Sequence, residues 1–101
     1  MIEIINGLKE NSQYIGRGSP LGNPYKMLDT SNKERNRVCE EYNIWFSDKI
    51  RSRDQVVMVE LRRLYQIAIN GDLLLQCFCA PKRCHGETIK RFLDGYLGLF
   101  P

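Results

Sequence analysis

The sequence predicts a single small α/β domain, a Rossmann-like three-layer fold with a short, mainly parallel sheet and about three helices. The run at residues 73–79 is apolar at both alternating positions, which is typical of a central parallel strand covered on both faces. Two strand candidates and two helix candidates precede this run, and a third helix candidate follows it. A chain of 101 residues buries one hydrophobic core but not two, so residues 1–101 are predicted to form one domain.

The two strand candidates near the start of the chain are short. Residues 2–5 alternate weakly between apolar and polar side chains, and residues 13–15 form the second candidate. The second candidate runs directly into residues 16–24, which contain three glycines and two prolines. This segment, the Gly-rich loop, is therefore predicted to lack regular secondary structure.

The first helix is predicted to begin near Ser31, because Ser31 and Glu34 form a capping box in which each side chain satisfies a backbone donor. The polar residues 48–54 are predicted to end it. Its apolar stripe recurs at helical spacing and comprises Val38, Tyr42, Trp45, Phe46 and Lys49 or Ile50.

The second helix is predicted to begin after Ser52 or Asp54, either of which can act as its N-cap. Asn70 and Gly71 predict its end, since either residue tolerates the left-handed conformation that often terminates a helix. The predicted buried stripe comprises Val57, Leu61, Leu64, Tyr65 and Ala68.

The last helix is predicted to begin near Cys84 or His85. Its apolar residues again recur at helical spacing, which predicts that they face the core. They are Ile89, Phe92, Leu93 and Tyr96.

The charge of the chain is mild. Fifteen basic residues against twelve acidic ones give a formal net charge of +3, and most of the surplus lies in residues 77–101. A dedicated nucleic-acid binder usually carries a larger basic excess, so nucleic acid stays open as a partner but is not indicated. No apolar run approaches the ~20 residues of a membrane span, and the first residues carry acid where a signal peptide needs base. We therefore expect a cytoplasmic protein with reduced thiols and no membrane partner.

Two unusual segments each follow a predicted strand directly. They are the Gly-rich loop and residues 77–86, which hold three of the four cysteines and the only histidine. Ligands of open α/β sheets bind in the crevice beyond the carboxyl ends of the strands. The sequence therefore predicts that both segments contribute to one site.

The Gly-rich loop is a candidate anion-binding segment. Its glycines let the main chain approach a ligand closely, and successive amides in such a turn can surround an anion. Arg17 can add a charge-assisted bond to phosphate, and Tyr14 can stack on a ligand. The alternative is a purely structural loop with Arg17 in solvent. The candidate ligand-binding residues here are Tyr14, Gly16, Arg17, Gly18, Ser19, Gly22 and Asn23.

Three functions compete for residues 77–86. Zinc could be held by Cys77, Cys79, Cys84 and His85, but the spacing departs from the usual Cys-x-x-Cys pattern, so no metal is predicted. Cys84 or Cys79 could be a nucleophile, because a thiolate is favoured at a helix start beside basic residues. Alternatively, Cys84, His85 and Gly86 bind a ligand without chemistry, through free amides and the imidazole. Cys77 and Cys79 are expected to fill the central strand, and Cys39 is expected to be incidental.

Two motifs make the sequence resemble a known family. Residues 14–24 read YIGRGSPLGNP and residues 77–86 read CFCAPKRCHG, with a helical middle between them. This pattern resembles the domain of unknown function 4326 family of short bacterial and bacteriophage proteins. The resemblance spans nearly the whole chain and implies a fold and a site rather than an established reaction. The Cys-His pair is also similar to that of Rossmann-like domains that often handle nucleotides, although Gly86 stands where those domains carry arginine.

The function predicted from these residues is binding of a phosphate-bearing nucleotide or nucleotide-derived metabolite. In a phage protein, such binding would sequester a host nucleotide signal. One alternative is a Cys/His-dependent enzyme acting on a nucleotide or nucleoside, and another is a zinc-binding or nucleic-acid-binding module. No cofactor is predicted, and a second copy of the chain could complete the crevice as a homodimer.

Overall fold

One parallel sheet organises the chain. The computed structural model describes residues 1–7, 9–79 and 81–99, and over these ranges the chain forms three strands and three helices. The strands are β1 (Ile2–Asn6), β2 (Gln13–Tyr14) and β3 (Leu73–Cys77), in the order β1-β3-β2 and all parallel. The predicted small α/β fold with a short parallel sheet is confirmed.

The central position of β3 agrees with its apolar sequence. Four of its five residues are buried and Leu74 is half-buried, as expected for a strand covered on both faces. The strand ends at Cys77, two residues earlier than predicted, because the chain turns where the Lys82 amide donates to the Cys79 carbonyl at 2.8 Å.

The register places all three strand ends at one edge of the sheet. Asn6 at the end of β1 lies opposite Cys77, and Tyr14 at the end of β2 lies opposite Gln76. β2 pairs with Leu75 and Gln76, so it ends one residue short of the level at which β1 and β3 end. The Gly-rich loop and the segment after β3 therefore begin side by side.

The first helix, α1, spans Asn32–Ser52 and begins as predicted. The Ser31 hydroxyl accepts from the Glu34 amide at 3.2 Å, but only this half of the predicted capping box forms. The Glu34 carboxylate instead accepts from the Leu28 amide at 2.8 Å, and the Ser31 amide donates to Asp29. The predicted polar break begins too early, because the helix continues to Ser52 with Asp48 and Arg51 exposed while Ile50 packs against the core.

The second helix, α2, spans Gln55–Asn70 and has Asp54 as its N-cap. Arg53 separates it from α1 in a left-handed conformation with φ 54°. The helix ends at Asn70 as predicted, but the predicted left-handed termination is wrong. Gly71 is extended, with φ 166°, and the Asn70 side-chain amide caps the helix by donating to the Gln66 carbonyl at 2.8 Å.

The third helix, α3, spans Gly86–Leu99, beginning just after the predicted positions. Ile89 and Leu93 are buried and Phe92 is half-buried. Tyr96 is 43% exposed, so its predicted place in the buried stripe is wrong. Its ring lies against Phe92, with centroids 4.9 Å apart, where the last turns of α3 pass beyond the centre of the core.

The core joins the helices, the sheet and the Gly-rich loop. Ile15 directly precedes that loop and Leu21 lies within it, and both side chains are 1% exposed or less. The Tyr42 hydroxyl, buried in α1, donates to the Leu21 carbonyl at 2.8 Å. Within the described ranges, no helix is both long enough and apolar enough to cross a membrane.

Candidate functional site

A cavity of about 380 Å³ lies at the carboxyl ends of β2 and β3. Its volume falls within the range of small-molecule sites. Both motifs line it, as do α1 and the segment just before α1. The lining residues are Tyr14, Gly16, Arg17, Asn23, Tyr25, Lys26, Met27, Arg35, Val38, Cys39, Cys77, Phe78, Cys79, Arg83, Cys84 and His85.

The Gly-rich loop is tightly folded, and its glycines permit close approaches. A Cβ at Gly16 would lie 2.5 Å from the Tyr14 ring, and a Cβ at Gly22 would lie 2.4 Å from the Gly16 carbonyl oxygen. Gly18 has φ 90°, a conformation that side-chain-bearing residues rarely adopt. The Tyr14 hydroxyl donates to the Arg17 carbonyl at 2.8 Å, which closes the first turn of the loop.

Several polar groups of this loop are used inside it. The Ser19 hydroxyl and amide both donate to the Gly16 carbonyl, at 2.7 and 3.0 Å, and the Gly22 amide donates to the Ser19 carbonyl. The Asn23 amide group donates to the Val38 carbonyl of α1 at 3.1 Å. Of the seven candidate residues in this segment, four line the cavity and three do not. The lining residues are Tyr14, Gly16, Arg17 and Asn23, whereas Gly18, Ser19 and Gly22 shape the loop.

His85 joins the two motifs. Its Nε2 lies 2.5 Å from the Ile15 carbonyl oxygen, which can only accept, so Nε2 carries the proton. The residue is 7% exposed, and this burial lowers the pKa of His85, which favours the neutral ring. Nδ1 is then an acceptor. The imidazole also meets the Tyr42 ring edge-on, with centroids 5.0 Å apart.

Some backbone amides at the start of α3 already have acceptors in the first turn of the helix. The Cys84 amide donates to the Glu87 carboxylate at 3.3 Å, so this predicted anion donor is already engaged. Gly86 does not line the cavity. A Cβ there would lie 2.9 Å from Ile15 Cδ1 and 3.2 Å from Cys84 Sγ, so the glycine allows α3 to pack closely against the sheet.

All four cysteines line the cavity. Cys77 and Cys84 are buried, with their sulfur atoms 3.4 Å apart, and the shared hydrogen bond together with burial raises the pKa of Cys84. Cys79 follows β3 and is half-buried, rather than lying inside the strand as predicted. Cys39 is buried on α1, and this burial raises its pKa. In the part of the chain that the structure describes, no three His, Cys, Asp or Glu side chains are grouped to hold a metal ion.

The lining of the cavity is cationic. Arg17, Lys26, Arg35 and Arg83 line it, and no aspartate or glutamate does so among the described residues. Arg83 is engaged by Glu40 at 2.7 Å and by Asn36 at 3.1 Å.

Unlike Arg83, Arg35 forms no salt bridge with a carboxylate among the described residues. Its Nη1 donates to the Arg83 carbonyl at 3.3 Å, and its Nε is buried with no hydrogen-bond partner. The sequence reasoning missed Arg35. Its signal was present, because Arg35 stands three and seven positions before Val38 and Tyr42 and so extends the apolar stripe of α1 with a basic residue.

Exposed aromatic rings flank the same cavity. Tyr14 is 40% exposed and Phe78 is 66% exposed, and their centroids are 6.3 Å apart. Phe78 was predicted inside the central strand, but β3 ends one residue before it. Two accessible rings beside four cations give the cavity both stacking surfaces and anion-binding groups.

Comparison with known proteins identifies the family. Neither the curated proteins nor the solved structures contain a match to the chain. The family described as Domain of unknown function (DUF4326) matches residues 5–95, which include both motifs and every residue that lines the cavity. The chain belongs to the DUF4326 family.

Proposed function

We propose that this protein binds a small anionic ligand of the nucleotide class in the cavity at the strand ends. The observation that carries the proposal is the lining of the cavity, which has four basic side chains and no carboxylate among the described residues. A buried guanidinium nitrogen without a partner, as at Arg35 Nε, is costly unless a ligand satisfies it.

The aromatic residues favour a nucleotide over a simple anion. A base can stack on the exposed rings of Tyr14 or Phe78 while phosphate oxygens bind Arg35 and Arg17. A guanidinium group can bind phosphate through two parallel hydrogen bonds, which a lysine cannot, so Arg35 is the preferred phosphate-binding residue. In this proposal Nδ1 of the neutral His85 ring, which is an acceptor, bonds a hydroxyl or amino group of the ligand.

The same geometry favours binding over turnover. A nucleophilic cysteine needs a lowered pKa, whereas hydrogen bonding to Cys77 and burial raise the pKa of Cys84. His85 commits its Nε2 proton to a backbone carbonyl. We therefore propose a nucleotide-binding protein of the cytoplasm, which in a phage would sequester a host nucleotide signal.

Calorimetry of the purified full chain tests this proposal. The panel comprises nucleoside mono- and diphosphates, cyclic nucleotides, the matching nucleosides and inorganic phosphate. We expect at least one nucleotide to bind and its nucleoside to bind more weakly. Arg35→Ala should weaken nucleotide binding roughly 10-fold or more, because a charge-assisted hydrogen bond contributes about 1.5–3 kcal/mol.

Arg62→Ala is the matched control, since Arg62 is an exposed arginine of α2 and does not line this cavity. Both variants lose one positive charge, so a general electrostatic effect would weaken binding equally. Equal affinities of the two variants, or no binding to any nucleotide, would contradict the proposal.

A further inference from the structure

We propose that Cys77 and Cys84 form a redox modification site, a dithiol that hydrogen peroxide converts to a disulfide in the cavity wall. Their sulfur atoms are 3.4 Å apart, and a disulfide bond is about 2.05 Å long. The proposal is independent of the proposed ligand, because it requires only the two sulfur atoms and access for a small oxidant.

The fold places the two cysteines face to face. Cys77 is the last residue of β3, and Cys84 stands two residues before α3 begins. Gln76, next to Cys77, is held by β2 and by the Ile15 amide, which donates to its carbonyl at 3.0 Å. On the other side, Cys84 is held by the hydrogen bond that its backbone amide donates to the Glu87 carboxylate. Cys77 therefore lies at the end of a strand, and Cys84 lies in the connecting segment just before a helix.

The cavity provides the route for the oxidant. Both cysteines are no more than 5% exposed, yet both line the cavity, so a molecule as small as hydrogen peroxide can reach them from that side.

The reaction balances with one peroxide per dithiol. One thiol loses its proton and its sulfur attacks a peroxide oxygen, so that an S–O bond forms, the O–O bond breaks, and the departing hydroxide takes up the released proton as water; the raised pKa of Cys84 makes this first step slow. The second sulfur then attacks the sulfenic sulfur, an S–S bond forms, the S–O bond breaks, and a second water leaves with the remaining proton. Two thiols are oxidised by two electrons, and one peroxide is reduced to two waters.

The disulfide would alter the wall that carries His85. Cys84 directly precedes His85. The backbone of Gly86 is also close to the Cys84 sulfur, because a Cβ at Gly86 would lie 3.2 Å from that atom. Drawing the sulfur of Cys84 toward β3 therefore moves the backbone that positions the imidazole against Ile15.

Thiol counting and mass spectrometry test the proposal on the full chain. The reduced protein is treated with a small excess of hydrogen peroxide, denatured and alkylated, and its mass and free thiols are measured. We expect the four thiols of the chain to fall to two, with a loss of about two mass units that dithiothreitol reverses. Trypsin separates residues 64–82 from residues 84–90, so the disulfide should appear as one linked pair of peptides.

Two variants make the assignment unambiguous. Cys39→Ser/Cys79→Ser leaves only the proposed pair and should still form the intramolecular disulfide, whereas Cys39→Ser/Cys77→Ser leaves Cys79 and Cys84 and should not. The first variant keeps both members of the pair, so the test does not depend on whether removal of Cys77 disturbs folding. A link that persists in the second variant, conversion to sulfinic acid instead of a disulfide, or four intact thiols would each overturn the proposal.

Discussion

At the residue scale, the role of His85 follows from its surroundings and not from its residue type. As a residue next to a cysteine at a helix start, it could be a base, a ligand or a packing residue. In the structure its Nε2 faces the Ile15 carbonyl and its ring packs against the Tyr42 ring. The imidazole is therefore the link between the two motifs, and it stays neutral because burial disfavours its charge.

The pKa of His85 should lie below the ordinary histidine value of about 6.5. The unfolded chain then binds more protons than the folded one as pH falls through this range, so His85 reduces stability on acidification. A proton NMR titration measures this directly, because the chain has one histidine and hence one set of imidazole signals. A midpoint at or above 6.5 would show that the ring is not held neutral.

Ser19 and Gly22 show that a hydrogen-bond donor in the sequence does not reveal which acceptor it will bind. Both were candidate ligand donors, yet both close the Gly-rich loop through the Gly16 and Ser19 carbonyls. In a tight turn, short polar side chains and amides reach the carbonyls of the loop before they reach a ligand. Arg17 and Arg35 have longer side chains and line the cavity.

At the element scale, the break between α1 and α2 depends on two residues. Arg53 takes the left-handed conformation that ends α1, and Asp54 caps α2 by accepting from the Val57 amide at 3.1 Å. Asp54 also lies 3.5 Å from the Lys49 ammonium group. The cap fixes where α2 begins and hence the position of Val57, which is 1% exposed in the core.

Asp54→Ala should lower the free energy of unfolding by about 0.5–2 kcal/mol, because the Val57 amide loses its acceptor. Urea denaturation followed by circular dichroism measures the change. Asp54→Ser keeps a capping oxygen while removing the charge near Lys49, so it should recover most of the loss. Equal destabilisation by both variants would assign the effect to the charge and contradict the capping role.

At the scale of the whole molecule, the sheet depends on its last strand. β1 and β2 come first in the chain, and in the described sheet both pair with β3, which lies between them. Residues that are distant in sequence must therefore meet before any parallel ladder forms, and the cavity at the strand ends forms only with them. α1 and α2 lie between β2 and β3 in the chain, and both contribute buried residues to the same core.

A chain that ends after Asp72 should not fold cooperatively, because neither remaining strand has a partner. Such a fragment keeps both long helical segments, so some helical signal in circular dichroism is expected. Thermal unfolding of the full chain should be sigmoidal, whereas the fragment should change gradually with temperature. A cooperative transition in the fragment would show that α1 and α2 form a stable unit without the sheet.

The sequence by itself determined the elements and the edge of the sheet where both motifs lie. Ser31 and Asp54 marked helix starts, the apolar run after Gly71 marked the central strand, and the parallel arrangement placed the two motifs together. These features depend on local hydrogen bonds and on side-chain periodicity, which are written into neighbouring residues.

Only the tertiary structure decided which side chains line the cavity. Arg35 and Cys39 come from α1, and periodicity alone placed that face of α1 against the core without showing the cavity opposite it. The two sulfur atoms of Cys77 and Cys84 lie 3.4 Å apart, and His85 bonds the Ile15 carbonyl, so both contacts join different segments of the chain. Such contacts arise from how helices pack on the sheet, and no local pattern in the sequence encodes that distance.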